Sequence, residues 1–228
     1  MNIYSARKEA LILPLLERFK KETGIKFRLV TGKADGLLKR LEIEGNLSPA
    51  DLFITVDAGR LQRAKKAGVL QAIDNPTLKR RIPKSLRDRD NYWFGLSQRA
   101  RTIIYNKNLV NAEDLSTYEN LASSVWKGQL CIRSSDSIYN QSLVASMIEV
   151  NGVKKTESWA RNLVSNFARP PTGGDTDLLK ATSAGQCSIA LANTYYLGRL
   201  INSKNNEEKI VAQNLAVFWP NQGDGDRG

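Results

Sequence analysis

The hydrophobic and polar positions of this chain alternate between two periods. Residues 2–4, 25–30 and 51–56 are short apolar runs of strand length, and each leads into a segment whose apolar positions recur at helical spacing. The first of these helices runs to about Thr23. Leu11, Leu15, Leu16 and Phe19 are expected on its inner side, Pro14 in its first turn or at a kink, and Gly24 as its C-terminal cap. Residues 33–44 read as an amphipathic helix ending at Gly45, Pro49 breaks the chain, and 58–67 form a helix closed by Gly68. Strands alternating with helices through short connections predict a parallel sheet covered by helices.

Residues 75–91 are rich in charge, carry Pro76 and Pro83, and read as a surface excursion. Residues 93–105 hold two extended runs around Gln98 and Arg99, long for one strand, which suggests a crossover between two domains. After Asn106 the pattern restarts. A strand at 130–133 leads through the polar loop 134–137 to a helix at 138–150, capped by Asn151-Gly152. A helix at 156–168 is broken by Pro170-Pro171, and the loop 172–175 precedes a helix at 176–184. Then comes a strand at 187–192, two good capping residues in Asn193 and Thr194, and a helix at 195–201. Residues 202–206 are polar, 215–219 are a last apolar run and a candidate second crossover, and 223–228 read as a loop with no terminating element. The expected organisation is an α/β chain of two domains, 1–98 plus 219–228 and 99–218.

Composition narrows the function. The 41% hydrophobic content suits a globular chain, and no run approaches the length of a membrane-spanning helix. The net charge of +11 is spread over Lys20-Lys21, Lys39-Arg40, Lys65-Lys66, Lys79-Arg80-Arg81 and Lys154-Lys155. That pattern reads as a solvated basic surface with an attraction for anions. Histidine is absent, which removes the usual general base and the usual zinc and iron(II) ligands. No serine or cysteine nucleophile stands beside a plausible base, so an enzyme is not expected. Cys131 and Cys187 each start a strand; they form a disulfide if those strands are neighbours, and are otherwise two buried thiols. No signal peptide is evident after Met1.

Three strand-to-helix junctions share a design: Ser5-Ala6-Arg7; residues 134–137 followed by Tyr139; and Asn193-Thr194 followed by Tyr195 and Tyr196. Open α/β sheets place ligands at the carboxyl ends of their strands. If these junctions face one cleft, three phenols and several arginines meet near helix N-termini, where partial positive charge favours anions. Tyrosine ionises near pH 10 unaided, so something strong must take its proton, and a hard trivalent cation would do so. Three phenolates balance Fe(III) to zero charge. A dianion such as carbonate fills remaining positions if Arg7, Arg101 or Arg199 neutralises it. Arg199 shares a helix face with the paired tyrosines. The plainer readings are amphipathic packing for Tyr195 and Tyr196 and surface ion pairing for the arginines.

At these residues the chain resembles the ferric-iron substrate-binding proteins of bacterial ABC importers, the ferric-binding-protein or FutA-like family. The resemblance is carried by NIYSAR at the start, ETGIK at 22–26, PADLF at 49–53, AGVLQ at 67–71, WFGLSQRAR from Trp93, RSSDSIYNQSLVAS from Arg133 and ANTYYLGRL from Ala192, with FWPNQ and GDRG near the end. It implies a two-lobed type II periplasmic binding protein fold, with a central parallel or mixed sheet in each lobe and a hinge. It implies Fe(III) held in the cleft by Tyr139, Tyr195 and Tyr196. The first loop lacks the His or Tyr that many members supply, so the chain resembles the branch in which carbonate or another synergistic anion completes the shell. Arg7 is then the anion residue, with Glu9 as a lesser alternative ligand. Arg101 and Arg199 stand behind the phenolates, and Asn193 and Thr194 orient the tyrosine turn. The implied setting is periplasmic, as a monomer that delivers iron to an inner-membrane ABC permease and binds no nucleic acid. Members usually continue past the GDRG segment, so a C-terminally truncated chain is expected. The alternatives are a binding protein of the same fold for an oxyanion or small organic anion, and a nucleic-acid-binding regulator. The latter needs a helix-turn-helix segment, and none precedes Ile3.

Overall fold

The computed structural model describes residues 1–222; the loop expected at 223–228 lies outside the described residues. Chain contacts divide the molecule into Met1–Gln98 and Arg99–Gly228.

The first unit contains β1 (Asn2–Ser5), α1 (Glu9–Thr23), β2 (Arg28–Thr31), α2 (Ala34–Glu44), β3 (Leu52–Ile54), α3 (Ala58–Lys66) and α4 (Pro76–Arg81). Its strands run in the order β2-β1-β3, all parallel, with Ile3 opposite both Leu29 and Leu52. Successive side chains of a strand point to opposite faces. Ile3 accordingly packs on Ile12 and Leu16 of α1, while Tyr4 packs on Leu37 and Leu41 of α2. Gly24 closes α1 at φ 74°, a conformation open to glycine at no steric cost, and its N–H donates to Lys20 O.

Two expectations for this unit need correction. Leu11 and Leu15 are 63% and 61% exposed, and the inward stripe is Ile12 and Leu16 with Phe19 half-buried. Leu11 and Leu15 each precede a stripe residue by one position, about 100° around the helix, so they cannot share its face. The excursion at 75–91 also holds α4: Asn75 Oδ1 accepts from Thr77 N and Leu78 N, and Pro76 occupies the first turn, where its missing N–H costs nothing.

The second unit contains β4 (Arg101–Asn106), β5 (Leu130–Cys131), α5 (Ile138–Asn151), α6 (Val153–Ser165), α7 (Asp175–Ser183), β6 (Ile189–Asn193), α8 (Thr194–Ile201), α9 (Asn206–Gln213) and β7 (Leu215–Phe218). The sheet order is β5-β6-β4-β7, with β5 and β6 parallel and β4 antiparallel to both β6 and β7. The sheet is therefore mixed. Its strands carry apolar side chains on both faces, as at Ile103 and Ile104 of β4, because both faces are covered. Ile103, Leu130, Ile189 and Leu191 face Trp126, Met147, Trp159 and Leu163. Ile104, Cys131, Ala190 and Ala192 face Leu178, Leu179, Leu197 and Leu200. A disulfide joins Cys131 and Cys187 on this second face, with the two Cα atoms 5.9 Å apart. Strand pairing of β5 with β6 creates that proximity, since Cys131 lies opposite Ala190.

Three differences follow from tertiary context. The extended run at 93–105 becomes a strand only from Arg101, although Phe94 bridges to Arg87. The polar stretch after Ile201 leads into α9, capped by Asn205 Oδ1 accepting from Glu207 N. The final apolar run is β7, an edge strand of the second sheet. Residues 219–222, expected with the first lobe, are tied to the second unit instead. Asn221 N donates to Ser116 O at 3.1 Å, and Asn221 Oδ1 accepts from Tyr118 N at 3.0 Å. No helix among the described residues is long and apolar enough to cross a membrane.

Candidate metal centre

Parallel pairing of β5 with β6 aligns their carboxyl ends, and the helices that follow bring three tyrosines together. Asn140 folds the loop at 133–137 onto the start of α5: its Nδ2 donates to Arg133 O at 2.7 Å and to Ser134 O at 3.1 Å. This fixes Tyr139 in the first turn of α5. Tyr195 and Tyr196 occupy the first turn of α8, their ring centroids 4.3 Å apart and tilted by 32°. The Tyr195 hydroxyl donates to the Tyr139 hydroxyl at 3.3 Å. Asn193 stands at the N-cap position of α8, yet its side chain does not cap the helix; its Nδ2 donates to the Tyr195 hydroxyl at 3.5 Å. Thr194 opens the helix, its N–H donating to Ala100 O.

Arginines surround the phenols. The Arg99 guanidinium lies 4.8 Å from the Tyr139 ring centroid, and that of Arg133 5.6 Å from the same ring. Arg199 lies 6.0 Å from the Tyr196 ring and donates to Thr176 Oγ1. Beneath them sits a buried carboxylate. Asp175, fully buried, pairs with Arg101 at 3.2 Å, approaches Arg133 at 3.8 Å and accepts from Asn193 N at 3.1 Å. Arg101 also donates to Asn140 Oδ1 and Leu191 O. Burial pulls the Arg101 guanidinium below its ordinary value, and Asp175 opposes that shift. Burial is also the largest cause raising the phenols of Tyr139, Tyr195 and Tyr196, so with no cation present all three are neutral at pH 7. Among the described residues no three His, Cys, Asp or Glu side chains cluster to hold a metal, so phenols are the donor set on offer.

The expected residues thus divide. Tyr139, Tyr195, Tyr196, Asn193, Thr194, Arg101 and Arg199 all stand in the second unit; Arg7 and Glu9 belong to the first, where Arg7 N donates to Ser5 Oγ. Arg101 is not beside the phenols as a free charge, because Asp175, Asn140 and a strand carbonyl occupy it. Arg99, Arg133, Asn140 and Asp175 were not singled out by sequence. The available signal was position: Arg133 ends the run 130–133 expected as a strand, two residues beyond the end of β5, and Asp175 follows two glycines at a helix start.

Two α/β units, one presenting phenols at strand carboxyl ends, define a solute-binding architecture. The chain matches the family model described as bacterial extracellular solute-binding protein over residues 48–224, and a second model of the same description over residues 1–89. It belongs to the bacterial extracellular solute-binding protein family. Its relatives are of the ferric kind that the sequence motifs suggest. It is 49% identical to iron uptake protein A1 of Synechocystis over 97% of this chain and 62% of that protein. It is 30% identical to the Fe(3+)-binding periplasmic protein of Serratia marcescens over 85% of this chain and 56% of that protein. The chain thus spans less than two thirds of the length of either relative. A Trichodesmium structure described as FutA in complex with iron and citrate ligands superposes with a TM-score of 0.94 at 52% identity, covering 97% of this chain and 70% of that one.

Proposed function

We propose that this chain captures Fe(III) through the phenolates of Tyr139, Tyr195 and Tyr196 and hands it to a membrane-embedded ABC importer in the periplasm. The observation that carries this reading is the meeting of three phenols from two helix N-termini, with Tyr195 and Tyr139 hydroxyls 3.3 Å apart. Such a set, with no imidazole or thiolate near it, matches a hard trivalent cation. Each phenol that binds gives up its proton, so capture releases protons and acid opposes it. Reduction to Fe(II) weakens binding to phenolate and provides a second route of release. The process is reversible capture by a monomer, not catalysis.

Arg99 and Arg133 bring guanidinium groups to the Tyr139 ring. Guanidinium groups there suit a synergistic anion on the metal, carbonate or a small carboxylate, and the Trichodesmium relative is described as in complex with iron and citrate ligands. Arg7 remains the proposed anion residue from the first unit. The same arginines favour the second reading, a binding protein for a small organic anion alone.

One experiment separates the two. Fe(III) is added to the protein in bicarbonate buffer and the visible spectrum recorded for wild type and Tyr195→Phe. A phenolate-to-iron charge-transfer band, lost or shifted in the variant, is expected. Folded wild type that gives no band with soluble iron present would sink the ferric reading and leave the organic anion.

A further inference from the structure

The net charge is not shared between the two units. Residues 1–98 carry 20 Lys and Arg against 11 Asp and Glu, a net of +9, whereas 99–228 carry 14 against 12, a net of +2. Within the first unit most carboxylates are already used. Glu17, Glu22, Glu42 and Glu44 pair with cations on their own helices, and Asp35 pairs with Arg60 and Arg63. The densest run of cations is at 79–89, where Lys79, Arg80, Arg81, Lys84, Arg87 and Arg89 fall within 11 residues.

The structure sorts these six into two kinds. Lys79 pairs with Asp74, and Arg87 donates to Lys79 O and Ile82 O, so these two hold the segment together. Asp88 and Asp90, the acids of the run, are both taken by Lys65 at the end of α3. Lys66, the next residue of α3, is exposed. Lys66, Arg80, Arg81, Lys84 and Arg89 are left exposed with no carboxylate partner among the described residues. Two apolar side chains flank them. Ile73 is 44% exposed and is held beside the run by its N–H donating to Asn91 O; Leu96 is 79% exposed, next to Gly95, whose N–H donates to Leu86 O.

We infer that this edge of the first unit, residues 73–96, is a contact surface for an anionic phospholipid bilayer. Clustered exposed cations flanked by exposed apolar side chains match a lipid interface: the cations meet headgroup phosphates and the apolar groups enter the headgroup boundary. The aromatic side chains of the segment, Tyr92, Trp93 and Phe94, are half-buried, with Lys65 Nζ 5.0 Å from the Tyr92 ring centroid and Trp93 donating to Gln62, so they offer no open stacking platform for bases, which disfavours nucleic acid as the occupant. A carrier that works beside a membrane gains by collecting on its surface. The inference does not depend on iron, and iron-free protein serves for its test.

The test is co-sedimentation with vesicles of phosphatidylcholine alone and of phosphatidylcholine mixed with phosphatidylglycerol. Wild type is expected to bind the mixed vesicles at low salt, to leave them at about 0.5 M salt, and to ignore neutral vesicles. Arg80→Glu/Arg81→Glu/Lys84→Glu/Arg89→Glu is expected to lose binding by more than about tenfold. Lys154→Glu/Lys155→Glu/Lys204→Glu/Lys209→Glu makes the same change in net charge at exposed sites of the second unit, and is expected to keep most of the binding. Because all eight side chains are exposed, circular dichroism should show both variants folded. Equal loss in the two variants would overturn the local surface in favour of net charge, and absence of wild-type binding at low salt would overturn the inference outright.

Discussion

Tyr195 and Tyr139 are 56 residues apart in sequence, yet the hydroxyl of one donates to the hydroxyl of the other at 3.3 Å. Neither has a carboxylate or imidazole to accept its proton within this pair. A cation that displaced both protons would exchange a weak neutral contact for two strong bonds. Tyr139→Phe and Tyr195→Phe should therefore each weaken Fe(III) binding by at least about tenfold, one lost strong bond being worth more than ~1.4 kcal/mol. Tyr105→Phe, a change at a tyrosine packed against the core of the second unit, should leave iron binding alone. Iron competition against a chelator measures all three, and wild-type affinity in Tyr139→Phe would remove that residue from the site.

Asp175 is expected to be the residue on which the second unit's site most depends without itself holding metal. It is fully buried, and it neutralises an Arg101 side chain that is itself 8% exposed. Removing one partner of a buried pair leaves an uncompensated charge, and Asp175→Asn should destabilise the chain by roughly 3 kcal/mol or more. Asp175→Asn combined with Arg101→Met should recover part of the loss, because the stranded charge is gone. Denaturant melts of the two singles and the double form the cycle. Additive effects would show that the two side chains are not coupled.

The legible part of this chain was its periodicity and its punctuation. Gly24 and Gly68 marked helix ends, and the continuous apolar run at 187–192 marked a strand, which the structure buries on both faces. The paired tyrosines were visible because two phenols after a capping pair at a strand end is an uncommon string. What stayed hidden was set by tertiary contact. Leu11 and Leu15 are as apolar as Ile12 and Leu16, and only packing on Ile3 decides which pair faces inward. Asp175 read as the end of a polar loop before a helix; that it meets Arg101 of β4 and Arg133 just beyond β5 cannot be read from local sequence. Asn193 looked like a helix cap, and its amide serves Tyr195 instead.

The disulfide should contribute to stability and to the shape of the site together. Cys131 and Cys187 close a loop of 56 residues that includes α5, α6 and α7, and hence Tyr139 and Asp175. Closing a loop of that size restricts the unfolded chain, an effect of about 2–4 kcal/mol. Cys131→Ser/Cys187→Ser should lower the unfolding free energy by that amount. Reduction of wild type with a thiol should lower it to the same level. Thiol titration of the unfolded, unreduced protein should find no free cysteine; two reactive thiols would disprove the pairing.

Tyr118 should set an alkaline limit on the fold. Its hydroxyl donates to Arg101 O, and its ring packs against the core of the second unit. Burial, partly opposed by Arg101, pushes its phenol up to about 12. The unfolded chain would hold that proton only to pH about 10. A group that binds its proton more tightly when folded lends stability that is complete below the unfolded value and is lost as pH rises through the folded one. Wild-type stability should therefore fall between about pH 10 and 12 by an amount that Tyr118→Phe does not show. The variant should also lose about 1 kcal/mol at neutral pH through the hydrogen bond it no longer donates. Phenolate absorbance during an alkaline titration identifies the late group directly. If Tyr118→Phe removes a phenol of ordinary pKa and leaves the latest-ionising one in place, Tyr118 is not the buried group that this account requires.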